Sequence, residues 1–297
     1  MSYHKPKARP DRRANSYSAA LRRKKLFRNL ICICFCILSL LPFLLMLMNA
    51  TRTSSQIQQG ISLLPAGHFL ENWSNLMAKQ QGMQLTMGRA MLNSLTIAVP
   101  GTFCAVYFSA MTAYGIHVYD FRLKKIAWAF IMAIMMIPNQ ITIIGFYQFM
   151  LKIKMTDSYL PLIIPCIAAP TVVFFMKQYM ESTLSLEMIE AARIDGAGEF
   201  RIFNTIIAPL LKPALATQAI FQFIAQWNNL FTPTVLLTTE SKKTLPLFVQ
   251  MLTADNFRVD YGVVYMGLFA TVIPLIIAYL LLSRYIVAGV ALGGVKG

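Results

Sequence analysis

The chain of 297 residues is 57% hydrophobic and only 13% charged, where soluble domains carry about 25% charged residues, and its mean hydropathy is +0.56. A chain of this composition belongs in a membrane. Its formal charge of +15 does not mark a nucleic-acid binder, because ten of the 27 Lys and Arg fall within residues 1–28 and the rest are spread thinly beside apolar runs. No aromatic-basic RNA motif or helix-turn-helix pattern accompanies them, so nucleic acid is not an expected partner.

A spanning helix needs about 20 mostly apolar residues. Six stretches meet that condition, at 29–48, 91–113, 126–150, 158–178, 206–235 and 262–286. The first is read as a retained span, since its apolar core is too long for a signal peptide and no small-residue cleavage site follows. The fold class expected is an all-α polytopic membrane protein of six transmembrane helices. Residues 1–28 are expected to be a disordered basic tail that anchors orientation and meets anionic lipid. Cys32, Cys34, Cys36, Cys104 and Cys166 all lie in apolar runs. On a helix Cys32 and Cys36 share a face and Cys34 points away, so the CxCxC reads as small hydrophobes and no metal is expected.

Lys and Arg set the direction, because cytoplasmic segments retain an excess of both. With the N-terminus inside, 19 basic residues fall on cytoplasmic segments and 8 on outer ones. Both termini are therefore expected inside a bacterial-type inner membrane. The outer loop 49–90 has room for an amphipathic helix near His68–Ala78. Asn93 and Ser94, near the outer end of the second span, are expected at the membrane interface.

Between the fourth and fifth spans, on the inner side, the chain reads EMIEAARIDGAGEF from Glu187 to Phe200. Ser185 is placed to cap a helix starting at Leu186, with Glu187 in its first turn. Gly196 is suited to the left-handed position that ends such a helix, and a second helix should start near Glu199. Small side chains here let another surface approach, and the acids suit a basic partner. A merely solvated loop is the other reading of the same residues.

These residues carry a resemblance. Glu190-Ala191-Ala192, Gly196, Ile206 and Pro209 match the spacing of the EAA loop of ABC importer permeases, with Ala208 standing where Leu is usual. Asn93-Ser94, Ala113-Tyr114, Ile137-Pro138 and the Trp227–Pro233 stretch WNNLFTP resemble the carbohydrate branch, whose familiar member is the maltose-type permease. The usual WND is Trp227-Asn228-Asn229 here, so a role of that acid is not carried over. The resemblance implies that Glu190, Ala191, Ala192, Asp195, Gly196 and Gly198 form a coupling helix that docks on a partner ATPase. With the apolar runs and the Lys and Arg distribution, it gives an expected division into the tail 1–28, the first span 29–48, the extracytoplasmic loop 49–90, a permease core 91–290 containing the coupling loop 181–205, and a tail 291–297. It implies three protein partners: a second permease subunit, usually a different chain, an ATP-binding cassette ATPase dimer, and an extracellular solute-binding protein. The sequence lacks a phosphate loop of the form GxxxxGK[ST], so ATP and magnesium are expected on the partner ATPase and no cofactor on this chain.

Polar side chains inside spans must face protein or a water-filled cavity. Gln218, Gln222, Gln226 and Asn229 fall within about 80° of helical arc, with Trp227 and Asn228 to either side. Such amides either bond a neighbouring helix or line a path for a hydroxyl-rich solute, since they both donate and accept. Pro138 with Asn139 marks a second polar point, read as a kink for gating or as plain packing. The expected function is import of a sugar or oligosaccharide. The alternatives are a permease of the same type for a polyamine, amino acid or phosphorylated alcohol, and an ion-coupled secondary transporter. Intramembrane paired carboxylates or a nucleophile with a base, which an enzyme would need, are not in the sequence, so catalysis by this chain is not expected.

Overall fold

Backbone groups in lipid find no water, so a spanning chain satisfies them within its own helices. The computed structural model describes residues 12–254 and 259–293, and every regular element in it is helical. The helices are α1 (Arg12–Ala50), α2 (Ser54–Gln58), α3 (Phe69–Lys79), α4 (Met87–Val118), α5 (Lys124–Met135), α6 (Asn139–Lys152), α7 (Leu160–Ile163) and α8 (Pro170–Thr183). After them come α9 (Leu186–Ile194), α10 (Glu199–Ile202), α11 (Ala208–Leu210), α12 (Lys212–Trp227), α13 (Phe231–Leu236), α14 (Leu245–Met251) and α15 (Tyr261–Gly293). Four stretches are long and apolar enough to cross a membrane: Arg22–Ala50, Met87–Val118, Leu160–Thr183 and Tyr261–Ser283. Two bent helix pairs bring the number to six.

Several of the six apolar stretches are broken where prolines fall. The stretch 126–150 is two helices, α5 and α6, bent by 100°. Ile137 precedes Pro138 and is disfavoured from helical geometry. Pro138 itself is extended, with ψ 126°, and stands at the N-cap of α6. The stretch 206–235 is likewise not one helix. The segment Glu199–Leu210 bends by 83° into α12, and α12 ends at Trp227. Pro209 and Pro213 flank that bend and have no N–H to carry a helical ladder across it. Within 158–178, α7 passes through a 3₁₀ turn at Ile164–Ile167 and yields to α8 at Pro170. The tail is corrected as well: residues 12–28 are helical and continuous with the first span, while residues 1–11 lie outside the described residues.

Helix α4 is the spine. Ala90, Ser94 and Ala98 recur every fourth residue, and after a three-residue step Gly101, Ala105, Ser109 and Ala113 do the same. All seven are buried. Lipid supplies no hydrophobic drive between helices, so small side chains that admit close backbone contact carry the association. A Cβ on Gly101 would stand 3.3 Å from Cys166 Sγ, and the Ser109 hydroxyl donates to the Ala169 carbonyl at 3.2 Å, just before α8. Helices α8 and α12 both pack along this stripe.

Two cores form at opposite ends of α4. One gathers Leu76 of α3, Ala90 and Ala98, Trp227, Phe248 of α14, and Val263, Met266 and Ala270 of α15. The other gathers Ala113 and Tyr114, Met176 and Met180 of α8, Ile189 and Ala192 of α9, and Ile202, Phe203, Ile207 and Leu211. Asn93 and Ser94 are buried rather than interfacial. The Asn93 amide donates to the carbonyls of Ser241 and Lys243 at 2.9 Å each, and the Leu245 N–H donates to Ser94 Oγ at 2.8 Å. Asp157 ties the same connection from the other side, accepting from the Thr238 and Thr239 amides, the Thr239 hydroxyl and Lys242 Nζ. Burial acts to raise the Asp157 carboxyl, but these bonds from Lys242 and Thr239 outweigh it and hold it well below the ordinary range. The expected amphipathic helix near His68–Ala78 is α3, with His68 as its N-cap residue.

Replacing Ala105 with Leu forces bulk into the stripe. The expected cost is about 1–3 kcal/mol, read as a lowered thermal midpoint of the detergent-solubilised chain, whereas Leu92, which is exposed on α4, tolerates Ala with little change.

Candidate functional site

Helix α9 presents two different faces. Ile189 and Ala192, three residues apart, are buried in the core around Tyr114 and Met180, while Glu187, Glu190, Ala191, Arg193 and Ile194 are exposed. Ser185 occupies the N-cap with extended backbone but makes no bond to a helix amide. Its hydroxyl serves the Glu187 carboxylate instead and, with that residue's own N–H, lowers its pKa. The C-terminus follows the expected glycine rule. Gly196 has φ +78°, its N–H donates to Arg193 O, and the Ala197 N–H donates to Ala192 O, each at 3.0 Å. This is a Schellman closure, and it reverses the chain so that Gly198 can start α10.

The reversal brings Arg193 onto Glu199. Arg193 Nε donates to Glu199 Oε1 at 2.6 Å, and the hydroxyl of buried Tyr114, near the end of α4, donates to Oε2 at 3.0 Å. The Arg193 guanidinium also lies 5.5 Å from the centre of the Tyr119 ring. Just beyond, Tyr107 OH of α4 donates at 3.0 Å to Oδ1 of Asn204, which lies in a π-helical segment, Phe203–Ile207. The loop is thus bolted to α4 through Tyr114–Glu199 and Tyr107–Asn204, with Arg193 tying α9 to Glu199. The Arg193 hydrogen bond, followed by those of Tyr119 and Tyr114, overcomes partial burial and keeps the Glu199 carboxyl below the ordinary range.

The residues singled out in the sequence divide accordingly. Glu190, Ala191, Asp195, Gly196 and Gly198 stand on the outer surface of the loop. Ala192 does not: its methyl faces the chain's own spans, because it lies one helical turn from Ile189 on the seated side. Sequence reading missed Ile194 and Phe200, which are 86% and 67% exposed beside those residues. It also missed the Arg193–Glu199 bolt, although opposite charges bracketing Gly196 and Gly198 were its visible signal.

The members of the polar stripe have different surroundings. Gln218 is buried and Gln222 half-buried on α12. Gln226 turns into the junction of α4 and the 3₁₀ turn, where its amide donates to Cys166 Sγ at 2.9 Å. Trp227 is buried in the upper core, stacked on Phe223, with its indole N–H donating to Thr271 O at 3.0 Å. Asn229 has left the helix, and its carbonyl accepts the Thr232 N–H at 3.3 Å. Asn228, exposed, ends α12. Pro138 and Asn139 mark the 100° bend between α5 and α6.

Replacing Glu199 with Ala releases Arg193 and leaves the Tyr114 hydroxyl without its acceptor. Hydrogen exchange across residues 187–199 is expected to quicken about tenfold at neutral pH, with α8 unchanged. Because the folded pKa is depressed, the bolt's contribution is complete above the ordinary carboxylate pKa and is lost as pH falls through the lowered folded value.

The sequence has recognisable relatives. Residues 105–291 match the family described as "Binding-protein-dependent transport system inner membrane component". The arabinooligosaccharides transport system permease protein of Halalkalibacterium halodurans is 32% identical over 263 residues, which is 88% of this chain and 92% of that protein. The lactose transport system permease protein of Rhizobium radiobacter is 27% identical over 87% of this chain and 92% of its own length. The fold is shared with the crystal structure of a bacterial ABC transporter involved in the import of the acidic polysaccharide alginate. That chain superposes with a TM-score of 0.74 at 22% identity, covering 89% of this chain and 96% of its own. The multi-pass bundle, the seated loop and these matches together establish that the chain belongs to the family of inner membrane components of binding-protein-dependent transport systems, ABC importer permease subunits that are not themselves enzymes.

Proposed function

We propose that this permease subunit imports a sugar or oligosaccharide delivered by an extracellular solute-binding protein, with α9 as the element on which a partner ATPase docks. The observation that carries the docking is the two-sidedness of α9. One face is fixed to α4 and α8, and the other offers Glu187, Glu190, Ala191 and the bare aliphatic side chain of Ile194. A helix held this firmly from behind transmits displacement rather than absorbing it. ATP and magnesium bind the ATPase pair, whose closure moves the docked helix and with it α4, switching access across the membrane as a rigid-body step. The excess of Lys and Arg on the α9 side supports the orientation with both termini in the cytoplasm.

A second, different permease subunit completes the path. Gln222 of α12 and Asn228 at its end are the amides of this chain open to solute hydroxyls, Gln218 lies buried one turn before Gln222 on the same face, and Gln226 positions the helix by its bond to Cys166. The carbohydrate reading rests on relatives named for arabinooligosaccharide and lactose transport and on amides that donate and accept as hydroxyls do. The bend at Pro138 and Asn139 gives the third span a joint where its two halves can turn separately.

Replacing Ile194 with Asp changes a side chain that is 86% exposed, so the chain is expected to insert and pair normally while the ATPase no longer co-purifies. Retained ATPase with solute-stimulated hydrolysis would sink the docking proposal. Replacing Gln222 with Leu is expected to reduce uptake about tenfold, the worth of one lost hydrogen bond, with assembly intact. Loss of assembly instead would make Gln222 an interhelical contact.

A further inference from the structure

Between α2 and the first turn of α3 the chain exposes a run of aliphatic side chains. Ile61 is 86% exposed, Leu63 50%, Leu64 75% and Leu70 78%. From Thr53 to Leu70 there is no Asp, Glu, Lys or Arg. A loop held in water would be expected to carry charge here, so the segment calls for an apolar neighbour.

Its position identifies that neighbour. The apolar run 29–48 of α1 is 20 residues and rises about 30 Å, equal to the hydrocarbon thickness of a bilayer. With no length to spare, Asn49–Arg52 stands at the membrane boundary. The loop is then pinned to those residues at both ends. Arg52 donates to the carbonyls of Gly60 at 3.0 Å and Gln56 at 2.6 Å. At the far end, Ala66 N–H donates to Thr51 Oγ1 at 2.8 Å and His68 N–H to Thr51 O at 3.0 Å. The strap Ile61–Pro65 between these ties has a reach of about 10 Å from them. It cannot leave the boundary region. Trp73, one turn after Leu70 on α3 and also exposed, has the ring type that settles at headgroup depth.

We propose that Ile61, Leu63 and Leu64, with Leu70 and Trp73, form an anchor inserted into the headgroup and upper acyl region of the phospholipid leaflet where α1 ends. The anchor continues the lipid-exposed surface of α1, where Phe43, Leu44 and Leu47 are also exposed. It is rigidly joined to the last span. The Asn72 amide donates to the carbonyls of Ala50 and Arg52 at 2.9 Å each, and a Cβ on Gly262 would stand 2.6 Å from Asn72 Oδ1. Phe69 meets Phe269 of α15 edge-on at 5.8 Å. Lipid held by the strap therefore fixes the depth of α1, α3 and the start of α15 together.

The test uses the full chain purified with its native partner subunits in phospholipid nanodiscs, its five cysteines replaced by Ala. A nitrobenzoxadiazole dye is attached at Leu64→Cys and, separately, at Ile61→Cys. Blue-shifted emission quenched several-fold more strongly by lipids brominated near the headgroup than by aqueous iodide is the expected result at both positions. Dominant iodide quenching would place the loop in water and overturn the anchor. Protection from both quenchers would place it against a protein subunit and overturn it equally.

Discussion

Close approach along α4 is the constraint on which the rest of this bundle depends. A helix in lipid gains nothing by hiding apolar surface from other apolar surface, so association must come from packing and hydrogen bonds. Seven small residues from Ala90 to Ala113 provide it, letting α8 and α12 lie against the backbone of α4 while Gly101 admits Cys166 and Gln226 at a three-way junction. Once those helices are seated, their ends are fixed, and the connections attach to ends that no longer move freely. The amide of Asn93 then satisfies the carbonyls of Ser241 and Lys243 in the connection before α14, and the hydroxyl of Ser109 adds a bond to the Ala169 carbonyl at the start of α8.

The loop 186–199 shows how a surface is made available without being loose. Its backbone is closed on itself by the Gly196 turn, its apolar side is buried, and Glu199 joins it to Tyr114 and Arg193. Each of these contacts has a short reach. Together they make the exposed acids and Ile194 features of a solid body, which is what a helix needs if force applied to it is to reach the spans.

Much of this was legible in the sequence. Apolar runs of about 20 residues announced the spans, Gly196 announced the end of α9, and the amphipathic stretch after His68 announced α3. What escaped were consequences of third parties. Pro138 was visible, but whether a proline kinks a helix or divides it depends on the neighbours that accept its freed carbonyls. Trp227 and Gln226 looked alike as polar-capable residues in an apolar run, and only the fold shows the indole N–H meeting Thr271 O and the amide meeting Cys166 Sγ. Ala192 looked like part of a small-residue surface, yet its phase relative to Ile189 turns it inward. The stripe on α4 was readable as a four-residue repeat of small side chains, and attention to apolar length alone passes over it.

The two ends of α4 hold different cargo. Near its start, Asn93 and Ser94 grip the connection 241–245, and near its finish Tyr114 grips Glu199. A helix of 32 residues is a rod about 48 Å long. Pivoted near one end, a tilt of about 10° carries the other end through about 8 Å, comparable to the breadth of a helix. The two grips thus sit at opposite ends of one element, so a tilt of α4 displaces both connections together.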